Sequence, residues 1–380
     1  MSKAEYKRLG DYIRDVNVRN RELKVTNLLG VSISKEFMPS IANTIGTDMS
    51  TYKIVERGQF AYGPVTSRNG DKVSIALLDD YDNAIISQAY TVFEVVDREQ
   101  LSPEYLMMWF RRPEFDRYAR FHSHGSAREI FDWDELCDVM LPIPSIIRQR
   151  EIVSEYETLT NRIRLNNQMI QQLEATAQAL YRKTFVDNID KEKLPEGWRM
   201  GTLRDYVELS QGIQIEVEDQ SLTKYKGYNR FIRIIDYTPN TTEPPRYVNI
   251  SNERYFSTRD DVIMIRYGDA GTVCRRLEGI IANNLFKITP IQSLTRNYVY
   301  HFLKSDTILK LVKNSAASST MPAITHKAVK DLECIIPPSA IMQEFDTTIS
   351  VIEKDICLKS DENSKLIELQ SLLLAKMGNK

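Results

Sequence analysis

The amino-acid sequence predicts an α+β protein in which two tandem mixed α/β domains are separated by two long helices. The helices are expected to pair as an antiparallel coiled coil, giving the chain pseudo-two-fold symmetry. Three observations carry this expectation. The motif Leu9-Gly-Asp-Tyr-Ile13 returns as Leu203-Arg-Asp-Tyr-Val207. The motif Asp138-Val-Met-Leu-Pro-Ile-Pro-Ser145 returns as Asp331-Leu-Glu-Cys-Ile-Ile-Pro-Pro338, an offset of 193 (331 − 138). At that offset Glu151 meets Glu344, Ile152 meets Phe345, Ile163 meets Ile356, Leu173 meets Leu366 and Leu180 meets Leu373. Solenoid repeats have periods of roughly 20–50 residues, so copies this long are whole domain-plus-helix modules. The partition that follows is 1–147, 148–187, 188–339 and 340–380.

In the first domain, strand-like stretches fall at Tyr52–Val55, Gln59–Tyr62, Val73–Leu78, Ala84–Ile86 and Tyr90–Val95. A helix follows at Pro103–Arg112, then a second helical run near Glu114 to Phe121. The second domain repeats the order with Asp261–Arg266, Gly279–Ala282 and Leu285–Ile288, then a helix near Asn297–Lys304. Between the domains lies a charged linker ending in Leu194-Pro-Glu-Gly-Trp198.

From Gln149 to Phe185 the chain has no Pro or Gly and is rich in good helix formers. Its apolar residues, among them Ile163, Ile170, Leu173 and Leu180, step by three and four with Asn166 between them. That 3.5-residue period is a coiled-coil seam. Ile356, Lys359, Asn363, Leu366 and Leu373 form the seam of the second helix. Each helix could reach about 55 Å at 1.5 Å per residue, which lets an antiparallel pair act as a ruler. Asn166, Lys359 and Asn363 make both seams polar at mid-length, a device that fixes register at some cost in stability.

Composition excludes several classes. With 42% hydrophobic and 27% charged residues over 380 positions, the chain is ordinary globular material. No apolar run approaches the roughly 18 residues of a membrane span. Cys137, Cys274, Cys334 and Cys357 are scattered without zinc-ligand spacing, which points to a reducing cytoplasm. There is no G-x-x-x-x-G-K-[ST] and no G-x-G-x-x-G, hence no phosphate-cradling loop of either kind. Thr242-Glu-Pro-Pro-Arg-Tyr247 lacks the residues with which an amino-methyltransferase grips a flipped base. His122 and His124 have no Cys nearby and are expected to face phosphate rather than metal. Nothing in the sequence reads as catalytic.

Two features suit a nucleic acid, although a net charge near −2 does not announce one. The stretch from Trp109 to Arg128 interleaves aromatics with Arg111, Arg112, Arg117, Arg120 and Arg128, and ends in a small-residue loop containing Ser126. Its counterpart carries Lys313 before Ser318 and Ser319. Such residues hold phosphates and set register on a duplex. The loops containing Ser67, Arg68, Asn69 and Lys72, and containing Arg266, Tyr267 and Asp269 with Arg275 beyond, offer side chains that pair with base edges. For either feature alone a solvated surface is the better reading. Their recurrence in both halves favours function.

The ordered duplication resembles the specificity subunit of type I restriction–modification systems. The residues carrying it are Leu194-Pro-Glu-Gly-Trp198 with Leu203-Arg-Asp-Tyr-Val207, the passage Gly125-Ser-Ala-Arg-Glu to Leu141-Pro-Ile-Pro144, and Ser145 to Ile152. Their repeat is Ile335-Ile-Pro-Pro-Ser339 to Gln343-Glu-Phe345. Both copies depart from the family's usual Pro-Pro-Leu-x-Glu-Gln before the helix (Pro144-Ser-Ile-Ile-Arg-Gln149; Pro338-Ser-Ala-Ile-Met-Gln343). The resemblance implies a non-catalytic reader of double-stranded DNA, with one target recognition domain per half-site of a split sequence. It also implies two docked methyltransferase subunits and, where present, two restriction subunits with translocase activity. S-adenosylmethionine, ATP and Mg would then belong to those partners, with no cofactor in this chain. A scaffold presenting two like binding modules without DNA would share the architecture. Salt-dependent duplex binding separates the two readings.

Overall fold

The structure, a computed structural model, describes residues 5–40, 46–67, 69–70, 72–125, 129–187, 189–238, 241, 243–316 and 323–378. By contacts the chain forms two units, Met1–Leu165 with Glu362–Lys380, and Asn166–Asp361. The division falls within each long helix, because each half of a helix packs with a different domain.

The first unit contains β1 (Tyr6–Arg8), β2 (Ile13–Val16), β3 (Leu29–Val31), β4 (Phe37–Pro39), β5 (Lys53–Glu56), β6 (Phe60–Tyr62), β7 (Ile75–Leu77), β8 (Asn83–Ile86) and β9 (Thr91–Val95). Helices α1 (Pro103–Phe110), α2 (Pro113–Phe121) and α3 (Trp133–Cys137) follow, then β10 (Met140–Pro142) and the start of α4 (Ile146–Phe185). Strands β2-β9-β6-β7 form one sheet; β1–β10, β3–β4 and β5–β8 pair separately. Alternation along β6 and β9 buries Phe60, Tyr62 and Phe93 beneath α1, where Phe60 stacks on Phe93 at 4.8 Å and meets Phe110 edge-on at 5.9 Å.

In the second unit β11 (Arg199–Thr202), β12 (Val207–Gln211), β13 (Asn229–Ile232), β14 (Arg246–Val248), β15 (Phe256–Ser257), β16 (Val262–Ile265), β17 (Val273–Cys274), β18 (Gly279–Ile281) and β19 (Leu285–Pro290) precede α5 (Arg296–Lys304). Then come α6 (Asp306–Ala316), α7 (His326–Lys330), β20 (Glu333–Ile336) and α8 (Ser339–Met377). The sheet β12-β19-β16-β17 repeats β2-β9-β6-β7, and β11–β20 repeats β1–β10.

The repeated motifs make repeated bonds. Leu9 N–H donates to Val139 O at 2.8 Å, and Leu203 N–H to Leu332 O at 2.9 Å. Ser102 caps α1 and Thr295 caps α5, each accepting from the third residue's N–H at 3.2 Å. Tyr105 Oη donates to Pro142 O at 3.1 Å, and Tyr298 Oη to Ile335 O at 2.6 Å. These bonds tie each closing strand to the helix that covers the sheet.

The helices run antiparallel within each unit. In the first, Arg162 pairs with Glu362 at 2.8 Å and Gln370 donates to Thr160 at 2.7 Å. In the second, Phe185 meets Phe345 edge-on at 4.9 Å, while Glu174 and Glu353 share Arg276. As the index falls along α4 it rises along α8. Asn166, Asn363 and Ile356 are buried, and Ile163, Ile170, Leu173, Leu180, Lys359, Leu366 and Leu373 are partly covered. The predicted 3.5-residue seam is therefore the inward face of both helices.

Candidate nucleic-acid interface

The β6–β7 connection of the first unit lies beside the loop that follows α2. Val65 bridges Ile130, Thr66 N–H donates to Glu129 O at 3.0 Å, and the Thr66 hydroxyl meets Ser123 Oγ at 2.9 Å. Two features that are far apart in sequence thereby share one ridge. Ser67 is exposed and Lys72 partly so. Asn69 turns its amide inward to Val65 O at 3.3 Å. Arg117 pairs with Glu114 at 3.1 Å and Arg120 pairs with Glu129, both exposed. Surface pairs of this kind contribute about 0–1 kcal/mol, so a phosphate can displace the carboxylate cheaply.

The topologically equivalent loops adjoin in the second unit too. Tyr267 bridges Ala323, Ile324 N–H donates to Arg266 O at 3.0 Å, and Lys313 reaches Asp269 at 3.2 Å. A hydrogen bond from the Thr272 hydroxyl, then Lys313, holds the Asp269 carboxyl below its ordinary range. The Arg266 guanidinium lies over the Tyr267 ring at 4.9 Å, with only a 3.5 Å contact to Gln211. A stacked, lightly engaged guanidinium fork suits bidentate contact with a guanine edge.

Three of the sequence-predicted arginines are placed elsewhere. Arg112 is buried over Trp109 at 4.2 Å, and Arg275 is buried over Tyr300 at 3.7 Å with an ion pair to Glu353. Arg111 is partly buried, 5.9 Å from the Tyr156 ring. Interleaved arginines and aromatics predict cation–π packing as readily as phosphate contact, and here packing wins. Nor do the two histidines stand free. His122 Nδ1 lies 3.0 Å and His124 Nε2 3.4 Å from the Glu135 carboxylate. Arg68, Ser126, Arg128, Ser318 and Ser319 lie outside the described residues.

The sequence reading missed Lys224-Tyr-Lys-Gly-Tyr228, the loop leading into β13. Tyr225 is 57% exposed, its ring 5.4 Å from Tyr228, and Gly227 turns the loop at φ +85°. The basic–aromatic alternation that drew attention to 109–128 is present here in shorter form. If both lysines contact phosphate, Lys224→Ala with Lys226→Ala lowers the salt slope of duplex binding by about 2, at roughly 0.9 per contact. An unchanged slope would remove this loop from the interface.

Among the described residues, no cluster of His, Cys, Asp and Glu is arranged to hold a metal ion. Among the same residues, no helix is long and apolar enough to cross a membrane.

Comparison with known proteins agrees with this architecture. Residues 195–368 match the type I restriction modification DNA specificity domain. The HindI type I restriction enzyme specificity subunit of Haemophilus influenzae is 21% identical, over 98% of each chain. The MjaIX specificity subunit of Methanocaldococcus jannaschii is 19% identical, over 74% of this chain and 70% of its own. The crystal structure of the type I restriction–modification S subunit from M. genitalium shares the fold with a TM-score of 0.60 at 13% identity, covering 100% of this chain and 98% of that one. Residues 195–368 match that specificity domain, and over nearly its whole length the chain is similar to a specificity subunit of a type I restriction–modification system.

Proposed function

We propose that this chain reads DNA sequence for a type I restriction–modification complex and performs no catalysis itself. Each recognition domain reads one half-site of a bipartite target, and α4 and α8 supply the spacer between them. The observation that supports this most strongly is the recurrence, in both units, of one loop pair. A sheet loop lies against the loop after the second helix, bearing Ser67, Asn69 and Lys72 in one unit and Arg266 and Tyr267 in the other, where Lys313 of α6 reaches Asp269. Two methyltransferase subunits bring S-adenosylmethionine and adenine chemistry, and restriction subunits bring ATP and Mg.

Methylome sequencing of a host expressing the chain with its methyltransferase subunit is the direct test. The expected product is a bipartite modified motif. Exchanging residues 1–144 for another specificity subunit's domain should alter one half-site and leave the other half-site and the spacer as they were. A simultaneous change of both half-sites would defeat the one-domain-per-half-site reading.

A further inference from the structure

The two units hold their helices differently at equivalent places. In the first, the fully buried Gln149 side chain accepts from Ser102 N–H at 2.9 Å. It also donates to Gln100 O and Pro144 O, both at 2.8 Å. In the second unit Met342, not Gln343, occupies this position; it is 2% exposed, and its thioether accepts from the Thr295 hydroxyl at 3.7 Å. Thioether sulfur is a weak acceptor and donates nothing, so the directional grip of the helix's first turn is lost there.

Three turns further along α8 the second unit has a different device. Arg276, in the left-handed region at φ +77°, closes both arms of its guanidinium on Glu353 at 2.9 and 3.1 Å and pairs with Glu174 of α4. Arg275 pairs with the same Glu353 and donates to Asn297 at 3.0 Å. Asn297 in turn donates to Asp346 at 3.0 Å and Ser350 at 3.1 Å. Arg259 Nη1 donates to both carboxylate oxygens of Asp361, at 2.9 and 2.8 Å. Residues 346, 350, 353 and 361 form one stripe of α8, and every link runs to the domain. Beyond Gln149, the first unit's helices bury Val153, Tyr156, Leu374 and Met377 in the domain core, while the Arg150–Glu99 ion pair is exposed.

Buried ion pairs are a poor source of stability compared with apolar packing, because desolvation offsets the attraction. What a two-armed guanidinium–carboxylate pair supplies is a single docking angle. An apolar contact can slide; this clamp cannot. We infer that Arg276 and Glu353 are positioning residues that set the angle of the second recognition domain on its helices, and so the register in which that domain meets its half-site. The inference rests on the DNA-reading function proposed above.

The test uses the full chain with its methyltransferase subunits and reads the methylome of the host. Glu353→Gln and Arg276→Lys should leave both half-site sequences unchanged. Modification at spacers one base pair longer or shorter should rise several-fold relative to the parent spacer. A merely structural role would lower modification everywhere without moving the spacer distribution. An unchanged spacer distribution in both variants overturns the inference, as does a change in half-site bases, which would make the residues contacts instead. If those variants do not accumulate folded, Glu174→Gln decides, since it weakens the link from Arg276 to α4 at a partly exposed position. Relaxed spacing supports the clamp, and parent spacing overturns it. A parent chain that marks no bipartite motif overturns the DNA-reading function and this inference with it. A normal parent motif with indifferent variants overturns this inference alone.

Discussion

Replacing Leu374 and Met377 with alanine should strongly destabilise the first unit and leave the second nearly unchanged. Both side chains are buried in the first domain's core with Trp109, Tyr156 and Val153. Truncating a buried Leu or Met to Ala costs about 2–5 kcal/mol, combining lost transfer energy with a cavity. The two positions are neighbours on one helix face, so their costs need not add. Even so, two such losses take most of the 5–15 kcal/mol that typically holds a domain. Trp109 and Trp133 report the first unit and Trp198 the second, so urea unfolding followed by fluorescence in a Trp198→Phe background isolates the first. Its midpoint should fall well below that of the unmutated background. Leu369→Ala, at a site 49% exposed, is the matched control and should change little. An unshifted tryptophan transition in the double variant would mean that this end of α8 is not part of the first domain's core.

Acid should destabilise the second unit through His301. The ring is 2% exposed and holds Gln178 Oε1 at 2.9 Å through Nδ1, while its Nε2 is buried with no hydrogen-bond partner. Burial first, then Arg275, Lys304 and Arg276, push its pKa down to about 3. Because the folded value lies below the unfolded one, near 6.5, protons bind the unfolded chain preferentially. The stabilising contribution is complete above about pH 6.5 and drains away as pH falls toward 3. Between pH 7 and pH 5 linkage predicts a loss of about 2 kcal/mol. His301→Asn can keep the hydrogen bond to Gln178 without titrating, so it should lose about 2 kcal/mol less over that interval. Denaturant melts of both proteins at the two pH values give the difference directly, and equal losses would assign the acid response to other groups.

Much of this fold was legible because its signals are periodic. The seam of α4 and α8 depends only on 3.5-residue spacing, and nearly every expected strand and helix formed within a residue or two. The closing pairs β1–β10 and β11–β20 were not anticipated. They join segments more than 130 residues apart, and Tyr6-Lys-Arg8 carries no alternation that would reveal a partner. The site was less readable. Sequence could indicate that Arg112 lies among aromatics but not whether those rings face solvent or the core, and nothing near Arg275 in sequence announces Tyr300. The offset of 193 pairs Gln149 with Met342 while the proline motifs before the helices pair it with Gln343, and the burial of Met342 decides for the first.

The return of α8 to the first domain has a consequence for synthesis. Tyr156 leaves the ribosome 218 residues (374 − 156) before Leu374. At about 5–20 residues per second, the nascent first domain waits roughly 10–40 s for the side chains that complete its core. The second domain is followed directly by its own stretch of α8. The half made first is therefore matured last. Until then its bare apolar face is a client for chaperones, and translation halted before Leu374 yields a chain that proteolysis can recognise before it ever meets DNA.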